Sequence, residues 1–345
     1  MNLTFIVGTG RCGSTMLSRA LQAHPDVLSL NEFFTCLVGK GDVAFPEREL
    51  DGREFWALLG EPARPFDAMA ASEHRMSELI YPYGRGRFRP ETGVPAIAHM
   101  TLPALTDDPD ALYDELAATV PARPRRPIGE HYLDLFADLA RPAGHTLVVE
   151  RSGASLSYLP ALRATFPRAR FVHLTRSGPH CARSMSRHLA FRTLLLRAEA
   201  TDLLGLASGF DLGPEHAEQL PARLAHLAGD VDCDLVMRTP VPLAAFGRLW
   251  SELMVRGVEE FLSIPEDRRM ALSYEEILDR PRHHLERLAA FAGADSRPDW
   301  ARAAAATVAH PGHPPVTDPD TLAACAPGQV ALDRQARLLA GVGTH

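Results

Sequence analysis

The chain has 345 residues, 46% apolar and 23% charged, with a formal net charge of −7. That length buries a large core in one α/β domain. The acidic balance argues against general nucleic-acid binding, and no apolar run reaches the roughly 18 residues that a membrane span needs.

Leu3 to Val7 is a β-prone run. Gly8, Gly10 and Gly13 then break regularity, because glycine takes positive φ without a Cβ clash. Met16, Leu17, Ala20 and Leu21 recur at helical spacing. A strand, a glycine loop and a helix in succession aim several backbone N–H groups into one concavity, an anion site and most often a phosphate site. Val27 to Leu30 predicts a second strand, with Glu32 just beyond it. Helices are predicted over 54–59 and 69–80, a basic aromatic loop over 81–90, a strand over 95–100, and helices over 109–119 and 129–139. The run TLVVE, 146–150, reads as a buried strand. A helix over 155–166 is ended by Pro167, and 170–175 is another strand. Pro179 suits the first turn of one long helix to about Ala198. The weak periodicity of 200–240 predicts an insertion. A helix over 242–262, a strand over 269–274, a helix over 281–292 closed by Gly293, an irregular stretch over 309–326 and a short helix over 329–340 complete the chain.

Strands alternating with helices predict a three-layer α/β fold: a central, mostly parallel sheet with helices on both faces, in a single domain over 1–345. Ligands of such sheets lie beyond the carboxyl ends of the strands, where Glu32, Arg151 and Arg176 fall. Segments 35–145 and 195–240 are expected to form a cap that builds an acceptor pocket. Five scattered cysteines without CxxC spacing predict reduced thiols rather than disulfides or zinc. No charged and then apolar leader precedes the first strand, so a cytoplasmic location is expected.

The loop Gly8–Thr15, GTGRCGST, departs from the triphosphate-binding pattern GxxxxGK[ST]. Ser14 stands where the lysine belongs, and Arg11 is the only basic residue. This suits a shorter anion, such as one 5′-phosphate carrying a transferable group. Cys12 is either a low-pKa thiol or a small loop filler. Arg176 ends a strand and Ser184 lies in the next helix. An Arg fork matches phosphate oxygens and a hydroxyl adds a donor; the competing reading is a surface salt bridge and a solvated serine. Arg151 is either a cation at the anion site or a core-edge arginine paired with Glu150 or Glu32. Glu32 is either a functional carboxylate at the strand end or a structural one tying Arg11 and Arg151. His283, His284, His310 and His313 do not make a metal site, and no metal is expected.

RCGST followed by MLSRALQAHPDVLSLNE resembles the first motif of the sulfotransferases that use 3′-phosphoadenosine 5′-phosphosulfate (PAPS), in the flavour of their tyrosylprotein branch. The likeness includes the His24-Pro25-Asp26-Val27 turn and Glu32. FVHLTRSGPHCARSMSRH resembles the family's second nucleotide motif, and MALSYEEILDRPRHHLERLAAFAG its late motif. Together these cover 3–32, 146–190 and 245–293, less than half of the chain. The resemblance implies a P-loop nucleoside triphosphate hydrolase-like fold. It implies PAPS held by Arg11, Cys12, Gly13, Ser14, Thr15, Arg176 and Ser184, with 3′,5′-ADP as the product. It also implies catalysis by Glu32 as the general base, with His99 as the rival because many cytosolic members use a histidine, by Arg11, and by Arg151 as a cation at the reacting group, with no metal, and transfer to a hydroxyl or amine of a small-molecule acceptor. Residues 326–330 would correspond to a loop over the 3′-phosphate. Two features depart from the tyrosylprotein branch: Arg151 replaces a lysine, and that branch is membrane-anchored. Whether the chain forms a homodimer is left open. A P-loop kinase and a nucleotide-binding protein without turnover compete with this reading. The missing lysine and the lack of an Asp-ended inner strand count against the kinase.

Overall fold

The computed structural model describes residues 2–40, 44–229, 231–309, 312 and 314–341. Five parallel strands form one sheet: β1 (Asn2–Val7), β2 (Val27–Asn31), β3 (Leu147–Arg151), β4 (Arg170–Thr175) and β5 (Arg269–Ser273), in the order β2-β3-β1-β4-β5. Leu3 to Val7 are all buried, as is the whole of β3, whichever way each side chain points. Both faces of the sheet are therefore covered, which explains why these strands are continuously apolar rather than alternating. Phe5 anchors one face, with its ring 5.1 Å from Phe166, 5.5 Å from Phe171 and 6.1 Å from Phe34. The fold is the three-layer parallel α/β architecture that the strand–helix alternation predicts.

Register decides where the loops emerge. Arg151 pairs with Ile6 on one side and with Asn31 on the other. The glycine loop after β1, Glu32 after β2 and the end of β3 thus leave the sheet at one level. Helix α1 (Ser14–Gln22) follows the loop and α2 (Phe33–Val38) follows Glu32. Arg11, Glu32 and Ala154 have φ of 58°, 53° and 54°, the only non-glycine positive values among the described residues. All three sit just past the ends of β1, β2 and β3. Left-handed backbone at such residues is uncommon and gathers where a site demands it.

Five expectations are corrected. Residues 96–100 form a buried helix, Ala96–Met100, not a strand; a short apolar run is the same in either state until packing decides. The helix Arg64–Ala71 stops before Ser72, whose backbone is extended, so 72–80 is not helical. The long helix after Pro179 is two, Gly178–Met185 and Leu189–Leu204, and the break at 186–188 exposes the Ser186 carbonyl to the Arg192 guanidinium at 2.9 Å. The last helix runs over Pro319–Gly341 with Pro327 inside it. Ser251 repairs that helix, donating to the Ala324 carbonyl at 2.7 Å and accepting from the Gly328 N–H at 3.2 Å. Residues 326–330 accordingly pack on the helix Leu243–Leu262, against Trp250, and are not a loop over a phosphate. Of the candidate metal histidines, His310 and His313 lie outside the described residues. The five cysteines are buried and free, and no described helix is long and apolar enough to cross a membrane.

Candidate active site

The loop turns into α1 at Gly13, whose φ of 92° and close neighbours both require glycine. A Cβ there would lie 2.2 Å from the Tyr274 ring. The Ser14 and Thr15 N–H groups in the first turn of α1 have no intrahelical carbonyl to meet, whereas that of Met16 reaches the Gly13 carbonyl at 3.1 Å. No acidic residue occupies that turn. Tyr274, at the end of β5, also carries the Arg176 guanidinium 4.6 Å above its ring. Arg176, just beyond β4, donates to the Arg11 carbonyl at 2.9 Å, while its buried Nε has no hydrogen-bond partner among the described residues. A buried guanidinium N–H left without a partner is costly and points to a missing acceptor. Arg11 Nε donates to Ser184 Oγ at 3.2 Å, so the loop arginine and the second-motif serine meet directly.

One cavity of about 390 Å³ is lined by Arg11, Gly13, Ser14, Thr15, Glu32, Arg151, Arg176 and Ser184. Cys12 is not among its walls. Its thiol is turned under the loop toward Gly8, and burial pushes its pKa up despite Arg151 and Arg176 nearby. Of the residues expected at the phosphate, Cys12 therefore has only its backbone to offer, and it is no low-pKa nucleophile.

Glu32 and Arg151 form a buried ion pair, Arg151 Nη1 to Glu32 Oε1. Arg151 is also held by Ser18 Oγ at 2.9 Å and Asn31 Oδ1 at 3.3 Å. Glu32 accepts further from the Gly153 N–H at 2.7 Å and from the Thr35 hydroxyl. Beneath them Ser152 Oγ accepts from the Phe34 N–H at 3.0 Å and donates to Glu150 at 2.5 Å. Burial pushes Glu150 up to about 8, helped by Glu32 and opposed by Ser152. His99, the rival base, is wholly buried outside this cavity. Its Nδ1 shares a hydrogen bond with Tyr83 Oη at 3.0 Å, and its Nε2 lies 3.4 Å from Asp67. The histidine is held within the packing of residues 66–100, against Tyr83 and Asp67.

Glu78 is a further site residue. It lines the cavity from the segment after the helix Arg64–Ala71 and pairs with Arg11 at 2.7 Å and with His188 at 3.5 Å. Burial would raise its pKa, but His188 and Arg11 together hold its carboxyl well below the usual range. No motif marks Glu78, since it reaches Arg11 only through the folding of a distant segment.

The family model described as the sulfotransferase family matches residues 4–223. No curated protein sequence matches the chain. Solved structures with some likeness include the sulfotransferase domain of the Synechococcus PCC 7002 olefin synthase, at 16% identity over 94% of each chain and a TM-score of 0.44. A sulfotransferase from Alicyclobacillus acidocaldarius is 16% identical over 98% of this chain and 96% of its own, at a TM-score of 0.38. One from Mycobacterium tuberculosis is 17% identical over 97% of this chain and 76% of its own, at 0.41. The assignment rests on the family model, which spans well over half of the sequence: the chain belongs to the sulfotransferase family.

Proposed function

We propose that the protein moves a sulfuryl group from PAPS to a hydroxyl, with Glu32 as the base. The observation that carries this is the single cavity shared by the glycine loop, the Arg176–Ser184 pair and the Glu32–Arg151 pair. The donor fits the residues present: α1 offers first-turn N–H groups to one phosphate, and Arg176 has an unpartnered Nε for another. PAPS supplies a sulfuryl group on a good leaving group.

The first-turn N–H groups of Gly13, Ser14 and Thr15 hold the 5′-phosphate. Arg176 and Ser184 bind the 3′-phosphate. Arg11 stabilises negative charge gathering on the departing oxygens, a fixed donor aimed where charge develops. Glu32 takes the acceptor's proton as its oxygen forms the new O–S bond. The S–O bond to the phosphate breaks, and its electron pair leaves on that phosphate. A carboxylate has about four acceptor positions. Arg151, Gly153 and Thr35 use three on Glu32, which leaves one for the acceptor. Arg151 orients this carboxylate and adds positive charge at the transfer site. The segments 35–145 and 195–240 form the cap of a single domain.

The test is transfer of ³⁵S from labelled PAPS to a set of alcohols by wild type and Arg11→Ala. Loss of about 10²–10³ in turnover is expected, the usual loss for one such donor. Turnover within twofold of wild type would remove Arg11 from the reaction.

A further inference from the structure

Part of the cavity lining differs in chemistry from the phosphate-binding groups: Phe66, Met76, Met100, Ala190, Phe191 and Leu194 offer no polar side-chain atom except thioether sulfur. This wall begins at the glycine loop itself: a Cβ on Gly10 would lie 2.5 Å from the Phe191 ring. It ends at solvent, since Leu194 is 49% exposed. Glu78, the one carboxylate that the cap adds, is already compensated by Arg11 and His188. A second cavity, of about 500 Å³, also reaches the Glu32–Arg151 pair and is the more polar of the two: Arg19, Gln22, Asn31, Ser77 and Asp107 stand in its walls beside Ile80, Met100 and Leu105. The two cavities present the same base with different surroundings.

Resting on the sulfotransferase reading, we propose that the acceptor enters by the apolar side and is an uncharged alcohol whose body is hydrocarbon. A carboxylate or a ring of hydroxyls set against Phe66, Met76 and Phe191 would lose its water and gain no partner. A hydrocarbon body gives up nothing there and shields the reacting oxygen from water. Its only polar atom then faces the last acceptor position on Glu32. The acceptor oxygen bonds to sulfur, the sulfur–oxygen bond to the phosphate breaks with its electrons leaving on phosphate, and the proton passes to Glu32.

The experiment is calorimetric titration of the full chain, with and without saturating 3′,5′-ADP, against three probes. These are 2-naphthol, 6-hydroxy-2-naphthoate, whose rigid ring holds a carboxylate against the same wall, and methyl glucoside. Binding of 2-naphthol at least tenfold tighter than either polar probe is expected, with the same order in kcat/KM for ³⁵S transfer. Leu194→Glu, at a half-exposed position that tolerates charge, should weaken 2-naphthol at least tenfold and leave 3′,5′-ADP within twofold. Equal or tighter binding of a polar probe overturns the proposal and assigns the acceptor to the polar cavity. Loss of 2-naphthol binding when 3′,5′-ADP is present also overturns it, because the apolar wall would then belong to the adenine. If 3′,5′-ADP fails to bind, the donor reading falls, while naphthol binding to the free chain still decides the acceptor.

Discussion

Glu32→Gln removes a charge from a pair in which both members are nearly sealed from water, at 8% and 4% side-chain exposure. Two effects add. Arg151 keeps Ser18 and Asn31 but loses its counter-charge, and breaking a buried pair from one side costs about 3–5 kcal/mol. The new amide N–H₂ also faces the Gly153 N–H or the Thr35 hydroxyl, both of which now donate to Glu32. An unfolding entropy of about 2.1 cal/mol/K per residue over this chain gives about 0.7 kcal/mol per degree, so Tm should fall by about 4–7 °C. Replacing both partners, Glu32→Gln with Arg151→Met, removes the orphaned charge and should recover at least half of that loss. Turnover of the double variant should stay at background, because the base is still missing. Scanning calorimetry with single-turnover ³⁵S transfer at a temperature where all three proteins are folded separates the two roles. A Glu32→Gln protein as stable as wild type would refute the buried pair, and one with wild-type turnover would refute Glu32 as the base.

Arg176→Ala should weaken 3′,5′-ADP by about 10–100-fold, the worth of a hydrogen bond to a charged group, while 5′-AMP stays within twofold. Equal losses for both nucleotides would remove Arg176 from the 3′-phosphate. Glu150 is expected to set a pH dependence of stability. Burial raises its pKa from 4.5 to about 8, so between those values the folded chain keeps a proton that the unfolded chain has released. Stability should therefore fall as pH rises through that window, by up to about 1.4 kcal/mol per unit. Glu150→Gln should flatten the slope in urea titrations at pH 5, 6.5 and 8; identical slopes would mean that Glu150 is ionised in the fold.

What the sequence revealed of this site was local. Gly10 and Gly13 announce the loop because their left-handed backbone needs glycine, Gly8 because a Cβ there would meet the Leu174 carbonyl oxygen at 2.9 Å, and Arg176 announces itself by ending an apolar strand. Glu32 and Arg151 were likewise readable from strand ends, and their pairing was one of the alternatives open in the sequence. Glu78 was invisible, because its partners Arg11 and His188 belong to other segments and nothing in residues 72–80 repeats with a period. His99 stands as a rival base only through the family resemblance together with an expected strand over 95–100. In the fold it is a helix residue turned toward Tyr83 and Asp67. The break at 186–188 was hidden for a related reason: Arg192 replaces the lost helical hydrogen bond from the side, and side-chain rescue leaves no trace in periodicity.

The central claim is that one nucleotide is gripped at two separate phosphates, by the α1 N–H groups and by Arg176 with Ser184. Calorimetric titration of the wild-type chain with 3′,5′-ADP and with ATP tests it most directly. The account predicts that 3′,5′-ADP binds at least tenfold more tightly than ATP. ATP binding as tightly as 3′,5′-ADP, or more so, would contradict it.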